Sequence, residues 1–337
     1  MTDAIFDGFE RALLDLCPLD RLREQERDEN AAELWSAIDA LGYTDALVPE
    51  ALGGAGLSLA LVQDMLFAAS KAGLGLPLGE TAMARALLAE AGYRNDGACI
   101  ALARAEPTAE GGMFCADVPG ALLASRVLVE WNGEWLLLAR ADAHVVAGSY
   151  RRQASASLTW YSEDLALFRF KRPDADAETL CNALHAVAMA GAMERVLELS
   201  VEYANDRRQF GRAIGQFQAV QQELAALAEQ VSSAALASRM GCAAEGYLPD
   251  PLLAATAKLR ACEAASRVVA IGHAVLGAIG ITEEHPLGLF AARLHEWRMA
   301  PGNELRCAER LGQALLAEAG STLFDFVRNH LSPGEAA

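Results

Sequence analysis

The stretch "DRRQFGRAIGQFQ", residues 206–218, places three arginines among apolar residues in an otherwise acidic chain. The residues before and after it have the composition of long helices, so Arg207, Arg208 and Arg212 lie at a junction between two helices. Amide N–H groups that are free at a helix start add positive potential there. Two interpretations are open from the residues alone. The arginines balance nearby carboxylates on a solvated helix end, or they bind a phosphate or pyrophosphate with Phe210 covering an aromatic ring system.

The pattern of apolar residues around this stretch divides the chain into three parts. Residues 1–96 have apolar positions at helical spacing, which predicts an N-terminal helical domain. Residues 97–173 contain short apolar runs, and Asn132-Gly133 between two of them predicts a type I′ hairpin in a small, shortened antiparallel β-domain. Residues 174–332 return to helical spacing and predict a packed bundle. The predicted fold class is mainly α with a small antiparallel β-domain.

Composition excludes several classes of function. The chain has 337 residues and a formal net charge of −17, which argues against nucleic acid as a partner. Its seven cysteines form no CxxC pair and its six histidines no HxxxH or HExxH pattern, so we expect buried reduced thiols and no metal site. The first residues lack a basic leader, and no apolar stretch looks long and charge-free enough to cross a bilayer. We therefore expect a soluble, cytoplasmic chain without a membrane span.

Three motifs resemble one known family. "RRQFGRAIGQFQAVQQELA" (residues 207–225) resembles the flavin-contacting signature of the acyl-CoA dehydrogenases. "LVPEALGGAGLS" (47–58) resembles their N-terminal glycine turn, and "GAIGITEEHPLGLFAARLHEWR" (277–298) resembles their C-terminal glycine and T-E-x-P segment. The resemblance extends over nearly the whole chain in the family's order. It implies N-terminal helices, a β-barrel-like middle domain and a C-terminal four-helix bundle.

The resemblance also implies a cofactor. In this family an FAD lies between subunits, and an arginine and a phenylalanine of one subunit reach the flavin cofactor held chiefly by its neighbour. In that role the arginine meets the pyrophosphate, and aromatic rings help to wall the cofactor. The positions of this chain that match are Arg207, Gln209, Phe210, Phe217 and Gln218, with Gly277 on the C-terminal glycine turn.

The residue that the family uses as a base is missing. Family chemistry needs a carboxylate to remove the α-proton of an acyl-CoA thioester while the flavin takes the β-hydride. The place just before Gly302 holds Pro301, and the alternative place on the long helix holds Cys181. Glu296 and Glu304 are the nearby substitutes, and we interpret both as exposed helix carboxylates. The resemblance therefore implies no catalytic base in this chain.

The flavin pocket of the β-domain is also reduced. Of the family's segment near the flavin ring, only "RAEPTAEGG" (residues 104–112) is present, and Ala274 stands where the family has a glutamine before the glycine turn. Some bacterial dehydrogenases of steroid side chains look like α2β2 assemblies that pair a complete subunit with a shortened, base-less one. This chain resembles the shortened subunit.

The hypothesis assigns four partners or ligands: a complete acyl-CoA dehydrogenase subunit, a shared FAD, an acyl-CoA substrate, and an electron-transfer flavoprotein or similar acceptor. Two alternatives stay open. One is a self-sufficient dehydrogenase with a relocated base. The other is a structural or acyl-CoA-binding protein without flavin.

Overall fold

The computed structural model describes residues 6–19, 21–25, 28–300, 302–318, 320 and 322–331. The N-terminal part is helical, as predicted. Gly73, which directly follows helix α4 (Leu59–Ala72), has a φ of +90° and lies so close to Leu22 that a side chain would not fit. The helices are α1 (Asp7–Leu16), α2 (Leu22–Gln25), α3 (Asp28–Ala40), α4 (Leu59–Ala72) and α5 (Leu78–Glu90).

The middle part consists of two four-stranded sheets with the orders β1-β4-β5-β8 and β2-β3-β7-β6. The predicted antiparallel character is confirmed, except that β1 and β4 pair in parallel. The predicted hairpin is also confirmed, because Asn132 and Gly133 have φ values of 49° and 78° between β4 and β5. The strands are β1 (Ile100–Arg104), β2 (Glu106–Pro107), β3 (Met113–Val118), β4 (Arg126–Trp131), β5 (Glu134–Ala139), β6 (His144–Ala147), β7 (Ala156–Trp160) and β8 (Ala166–Phe170).

The C-terminal part is a helical bundle. Helices α6 (Ala177–Asp206), α7 (Gln218–Gly241) and α8 (Pro251–Leu276) pack on one another, and α10 (Glu304–Ala317) packs on α8. Buried alanines such as Ala254, Ala257 and Ala261 let the helices approach closely. The predicted mainly α fold is thereby confirmed. The helices are α6 (Ala177–Asp206), α7 (Gln218–Gly241), α8 (Pro251–Leu276), α9 (Leu287–Met299), α10 (Glu304–Ala317) and α11 (Leu323–His330).

The expectation that no apolar stretch is long and charge-free enough to cross a bilayer is wrong for one segment. The segment Pro251–Ile281 has 31 residues and is long and apolar enough to cross a membrane by length and composition. The apolar composition has a structural cause, because α8 packs between α6, α7 and α10. A core helix of a soluble protein passes the same test, so this segment is weak evidence for a span.

The predicted domain boundaries fall in the connections between helices and strands. The first boundary, 96/97, lies between α5 and β1, and the second, 173/174, lies between β8 and α6. They stay predictions, because all three parts contribute to one continuous set of buried apolar residues. The expectation for the cysteines is confirmed: all seven are buried and free.

Candidate functional site

The arginine motif folds into a short hairpin between α6 and α7. Strand β9 (Arg208–Gln209) pairs antiparallel with β10 (Arg212–Ala213), which leaves a two-residue turn. The turn residues Phe210 and Gly211 have φ values of 51° and 80°. These are the signs of a type I′ turn, in which the first position strongly favours asparagine, aspartate or glycine. Phenylalanine at this position is therefore held in an unfavourable backbone conformation.

The side chains of the hairpin face solvent. Phe210 is 92% exposed and touches Phe217 edge-on, with ring centroids 6.1 Å apart at 83°. The Arg212 guanidinium carbon lies 4.0 Å from the centre of the Phe217 ring, a cation–π contact that braces the base of the hairpin. Arg207, Gln209 and Gln218 are exposed beside it. The structure thus brings together the five predicted contact residues of residues 207–218.

The C-terminal glycine turn lies at the same end of the bundle. Gly272 near the end of α8 lies against Val196 of α6, and the two helices end at Leu276 and Asp206. Gly277 follows with φ 63° and ψ −137°, a conformation almost restricted to glycine. A cavity of about 410 Å³ is lined by Asp206 together with Glu284 and Pro286, which shows that the loop after α8 reaches the start of the hairpin. All six predicted cofactor-binding residues therefore share one end of the bundle.

Two helix starts differ in their ability to accept an anion. Helix α7 begins beside the hairpin, and its N-cap Phe217 makes no side-chain cap and is followed by no acidic residue in the first turn. Its amide N–H groups, together with the exposed arginines, suit a pyrophosphate. At the start of α6, by contrast, Asp176 accepts a hydrogen bond from the Thr179 N–H at 2.8 Å and Glu130 accepts one from the Ala177 N–H at 2.8 Å. Carboxylates of this chain already occupy that helix start.

A cleft of about 650 Å³ opens between the β-domain and α10, and it includes the start of α6. We call it the acidic cleft. Its lining includes four carboxylates and two guanidinium groups, those of Glu106, Asp117, Glu130, Glu178, Arg104 and Arg306. Residues 104–107, which begin the reduced flavin segment of the β-domain, form part of its wall. The excess of negative charge does not fit a cofactor that carries two phosphates.

The residues that follow the two expected base positions, Gly302 and Asn182, meet in the structure. A β-carbon on Gly302 would lie 1.8 Å from Asn182 Oδ1, and Asn182 follows Cys181 in α6. Cys181 is buried, and desolvation raises the pKa of its thiol far above the ordinary value. A neutral thiol is the expected state, as the sequence predicted. Pro301 lies outside the described residues.

The interpretation of Glu296 as an exposed carboxylate is wrong. Its side chain is 4% exposed, and its Oε2 accepts a hydrogen bond from Arg151 Nη1 at 2.8 Å. Arg151 also donates to the Gly75 carbonyl at 3.3 Å, so this ion pair joins the N-terminal helices, the β-domain and α9. A cavity beside Arg151 measures only about 50 Å³, well below the volume of an ordinary ligand pocket. A carboxylate held in this pair is unsuited to act as a base.

Glu304 is the other proposed substitute, and it lies nearer the surface. Its side chain is 36% exposed and pairs with Arg298 at 2.7 Å. The hydrogen bond from Arg298 lowers the pKa of Glu304 below its usual range. A lowered pKa makes this carboxylate a weaker base.

Sequence reasoning missed two of the carboxylates in the acidic cleft and the arginine of the buried ion pair. Glu130, Asp117 and Arg151 belong to no motif, and their roles depend on partners far away along the chain, as in the pair between residues 151 and 296. No local pattern identifies such contacts. No group of three or more residues that could hold a metal ion is found within the described ranges.

Comparisons with known proteins agree with this architecture. The family described as "Acyl-CoA dehydrogenase, C-terminal domain" matches residues 182–304. Acyl-CoA dehydrogenase IpdE2 of Mycobacterium tuberculosis is 32% identical over 264 residues, which cover 78% of this chain and 80% of that protein.

Two solved structures have the same fold. A chain of the ChsE4–ChsE5 complex from Mycobacterium tuberculosis superposes with a TM-score of 0.72 and 23% identity, covering 93% of this chain and 96% of that chain. A chain of the Tcur3481–Tcur3483 steroid ACAD superposes with a TM-score of 0.77 and 24% identity, with coverage of 93% and 96%. At these identities the likeness concerns the fold.

Proposed function

The chain belongs to the acyl-CoA dehydrogenase family, and we propose that it is the base-less subunit of an α2β2 assembly. In this role its hairpin contacts an FAD that is held chiefly by a complete partner subunit. The observation that supports the proposal most is Phe210, which is 92% exposed on a turn that disfavours phenylalanine. Large exposed aromatic side chains of this kind are typical anchors at an interface.

The hairpin residues have separate tasks in this proposal. Arg207 and the open start of α7 bind the pyrophosphate, since a guanidinium and free N–H groups both favour anions. Phe210 and Phe217 exclude water from one side of the cofactor, and Gln209 and Gln218 supply hydrogen bonds. Gly277 permits close approach of backbone, because no atom lies within 4 Å of where its β-carbon would be. When bound, FAD supplies a hydride acceptor for the dehydrogenation of an acyl-CoA.

The same proposal explains the losses elsewhere in the chain. The acidic cleft does not fit a second FAD, and the two expected base positions hold Cys181 and, by sequence, Pro301. The small cavity beside Arg151 is too small for an acyl chain. A subunit that serves its partner's site needs neither a base nor an acyl pocket of its own.

The substrate and the other partners follow from the same reasoning. We propose an acyl-CoA with a steroid-derived acyl group, with a branched or aromatic acyl group as the alternative. Support comes from the fold shared with a complex described as a steroid ACAD. An electron-transfer flavoprotein or similar acceptor and a cytoplasmic location stay predictions from the resemblance.

The test is to count flavin by visible absorbance, first on the chain purified alone and then on the chain co-expressed with a complete acyl-CoA dehydrogenase subunit from the same genome. We expect no flavin on the chain alone and about one FAD per pair of unlike chains. A full complement of FAD on the chain alone would contradict the shared site.

Matched variants locate the contact. Arg207→Ala is expected to lower FAD retention by the purified pair about tenfold or more, because a charge-assisted contact to phosphate is lost. Arg239→Ala is the control, since Arg239 is 69% exposed in the last turn of α7, far from the hairpin. Equal flavin retention in both variants would count against the role of Arg207.

The two alternatives have different outcomes. A self-sufficient dehydrogenase requires activity of the chain alone that disappears in Glu296→Gln or Glu304→Gln. The buried pair of Glu296 with Arg151 argues against it. A flavin-free protein requires that no partner restores flavin, and the exposed Phe210 argues against that outcome.

A further inference from the structure

The acidic cleft is a large feature of the described structure that the proposed function leaves without a role. It measures about 650 Å³, which is room for several side chains. Glu106 and Asp117 are exposed in its wall and form no ion pair with the described residues. Glu178, by contrast, is within 3.4 Å of Arg306. The cleft therefore keeps uncompensated negative charge that a cationic occupant would neutralise.

Other features of the cleft suit an occupant with apolar parts. Met299 in its wall is 54% exposed, and the half-buried Phe114 contributes aromatic surface. Behind the wall, the amide of Asn182 lies against Gly302 and is fully buried. Neither its oxygen nor its nitrogen has a hydrogen-bond partner within the part of the chain that the structure describes. The described fold thus leaves this buried amide unsatisfied behind the cleft wall.

This chain's own hairpin shows which segment has the complementary chemistry. It presents three arginines and an exposed phenylalanine, and Arg212 stacks on an aromatic ring at 4.0 Å. Guanidinium groups pair with carboxylates and stack on exposed aromatic rings. In a pair of like-folded subunits related by a two-fold axis, the element that each inserts into the other is the same.

We propose that the acidic cleft receives the arginine-bearing hairpin of the partner subunit directly, without a cofactor between them. The inference rests on the proposed function, because it assumes the pairing through which this chain's hairpin reaches the partner's FAD. The two halves of the interface then differ. On one side a hairpin meets the anionic cofactor, and on the other a hairpin meets carboxylates. The cleft thus contributes to association and to the choice of an unlike partner.

The test compares two double variants of this chain in the complex with its partner. Glu106→Lys with Asp117→Asn changes the charge of the cleft, and asparagine tolerates the φ of 39° at position 117. Glu110→Lys with Asp142→Asn makes the same change of charge at exposed positions outside the cleft wall. The dissociation constant of the pair is measured by sedimentation at several salt concentrations, and the flavin content is measured at saturating partner.

We expect the cleft variant to bind the partner at least about tenfold more weakly, with a smaller salt dependence, while the control stays within about twofold. Flavin per pair at saturating partner stays unchanged. Equal affinities of the cleft variant and the control would overturn the proposal. The proposal would also be overturned if the chain alone bound FAD and the cleft variant changed the amount bound, because the cofactor would then lie in the cleft. Failure of the proposed function is detected by a separate measurement: the complex that carries Arg207→Ala would then retain its flavin.

Discussion

Two hairpins in this chain have nearly the same backbone and different residues at the turn. Asn132-Gly133 in the β-domain has φ values of 49° and 78°, and Phe210-Gly211 at the end of the bundle has 51° and 80°. The first hairpin carries the residue that a type I′ turn favours. The second carries an aromatic residue that is 92% exposed and gains little from the fold of its own chain. The difference supports the proposal that Phe210 serves a contact outside the chain.

Arginines in the two regions differ in the same way. Arg151 is buried, pairs with Glu296 at 2.8 Å and ties three parts of the fold together. The hairpin arginines 207, 208 and 212 are exposed and form no ion pair with the described residues. Charges that stabilise this fold are paired inside it, and charges left unpaired at its surface are available to a ligand or partner. The comparison can be tested at both kinds of site.

The largest expected effect is at the buried pair. Arg151→Met leaves the Glu296 carboxylate buried without its cation, and we expect a loss of about 3–5 kcal/mol in the free energy of unfolding. Urea unfolding of the chain measures it. The neighbouring exposed Arg152→Met is the control and should change stability by less than about 0.5 kcal/mol. Equal losses of unfolding free energy in the two variants would show that the buried pair does not stabilise the fold. The double variant Arg151→Met with Glu296→Gln should recover part of the loss, because it removes the unpaired buried charge.

The next effect concerns the turn of the arginine hairpin. Phe210→Asn gives this turn the residue of the β-domain hairpin, so we expect the chain alone to gain about 0.5–1 kcal/mol of stability. The purified pair should lose FAD, with retention weaker by about tenfold or more, because an interface anchor is removed. Urea unfolding and flavin absorbance measure the two quantities. A variant that keeps its flavin would show that Phe210 does not contact the cofactor.

The reciprocal change is expected to have a moderate effect. Asn132→Phe forces phenylalanine into a φ of 49° at a turn that contacts no cofactor in the proposal. We expect a loss of about 1–2 kcal/mol in the free energy of unfolding. Asn132 lines the acidic cleft and not the cofactor site, so the flavin content of the pair at saturating partner should stay that of the wild type. Unchanged stability would mean that the conformation costs phenylalanine nothing, which would remove the argument from Phe210.

The smallest expected effect is at Glu304. Glu304→Gln should leave the dehydrogenase rate of the complex within about twofold and cost less than about 1 kcal/mol of stability, because the pair with Arg298 is screened by solvent. Since Arg298 lowers the pKa of Glu304 in the fold, the stabilisation is present above the ordinary value of 4.5 and is lost as the pH falls below it. The difference between wild type and variant should therefore shrink on acidification. A loss of activity larger than tenfold would identify Glu304 as a relocated base.

Much of the fold follows from local patterns. Helical spacing predicted the helices before and after the strands, and Asn132-Gly133 predicted its hairpin, because both depend on residues that are close in sequence. The parallel pairing of β1 with β4 was missed, since pairing of distant strands depends on packing. The apolar composition of α8 was underestimated for a related reason, because an alanine-rich helix at the centre of a bundle needs few charges.

By itself the sequence determined the mainly α architecture, the hairpin motif with its arginines and the absence of a carboxylate at Cys181, because residue identity and near-neighbour spacing suffice for these. The tertiary structure decided which charges are free. It buried Glu296 against Arg151, filled the start of α6 with carboxylates and left the start of α7 open. Whether a charge is paired or available depends on groups that the fold brings together from distant parts of the chain, and local sequence carries no record of them.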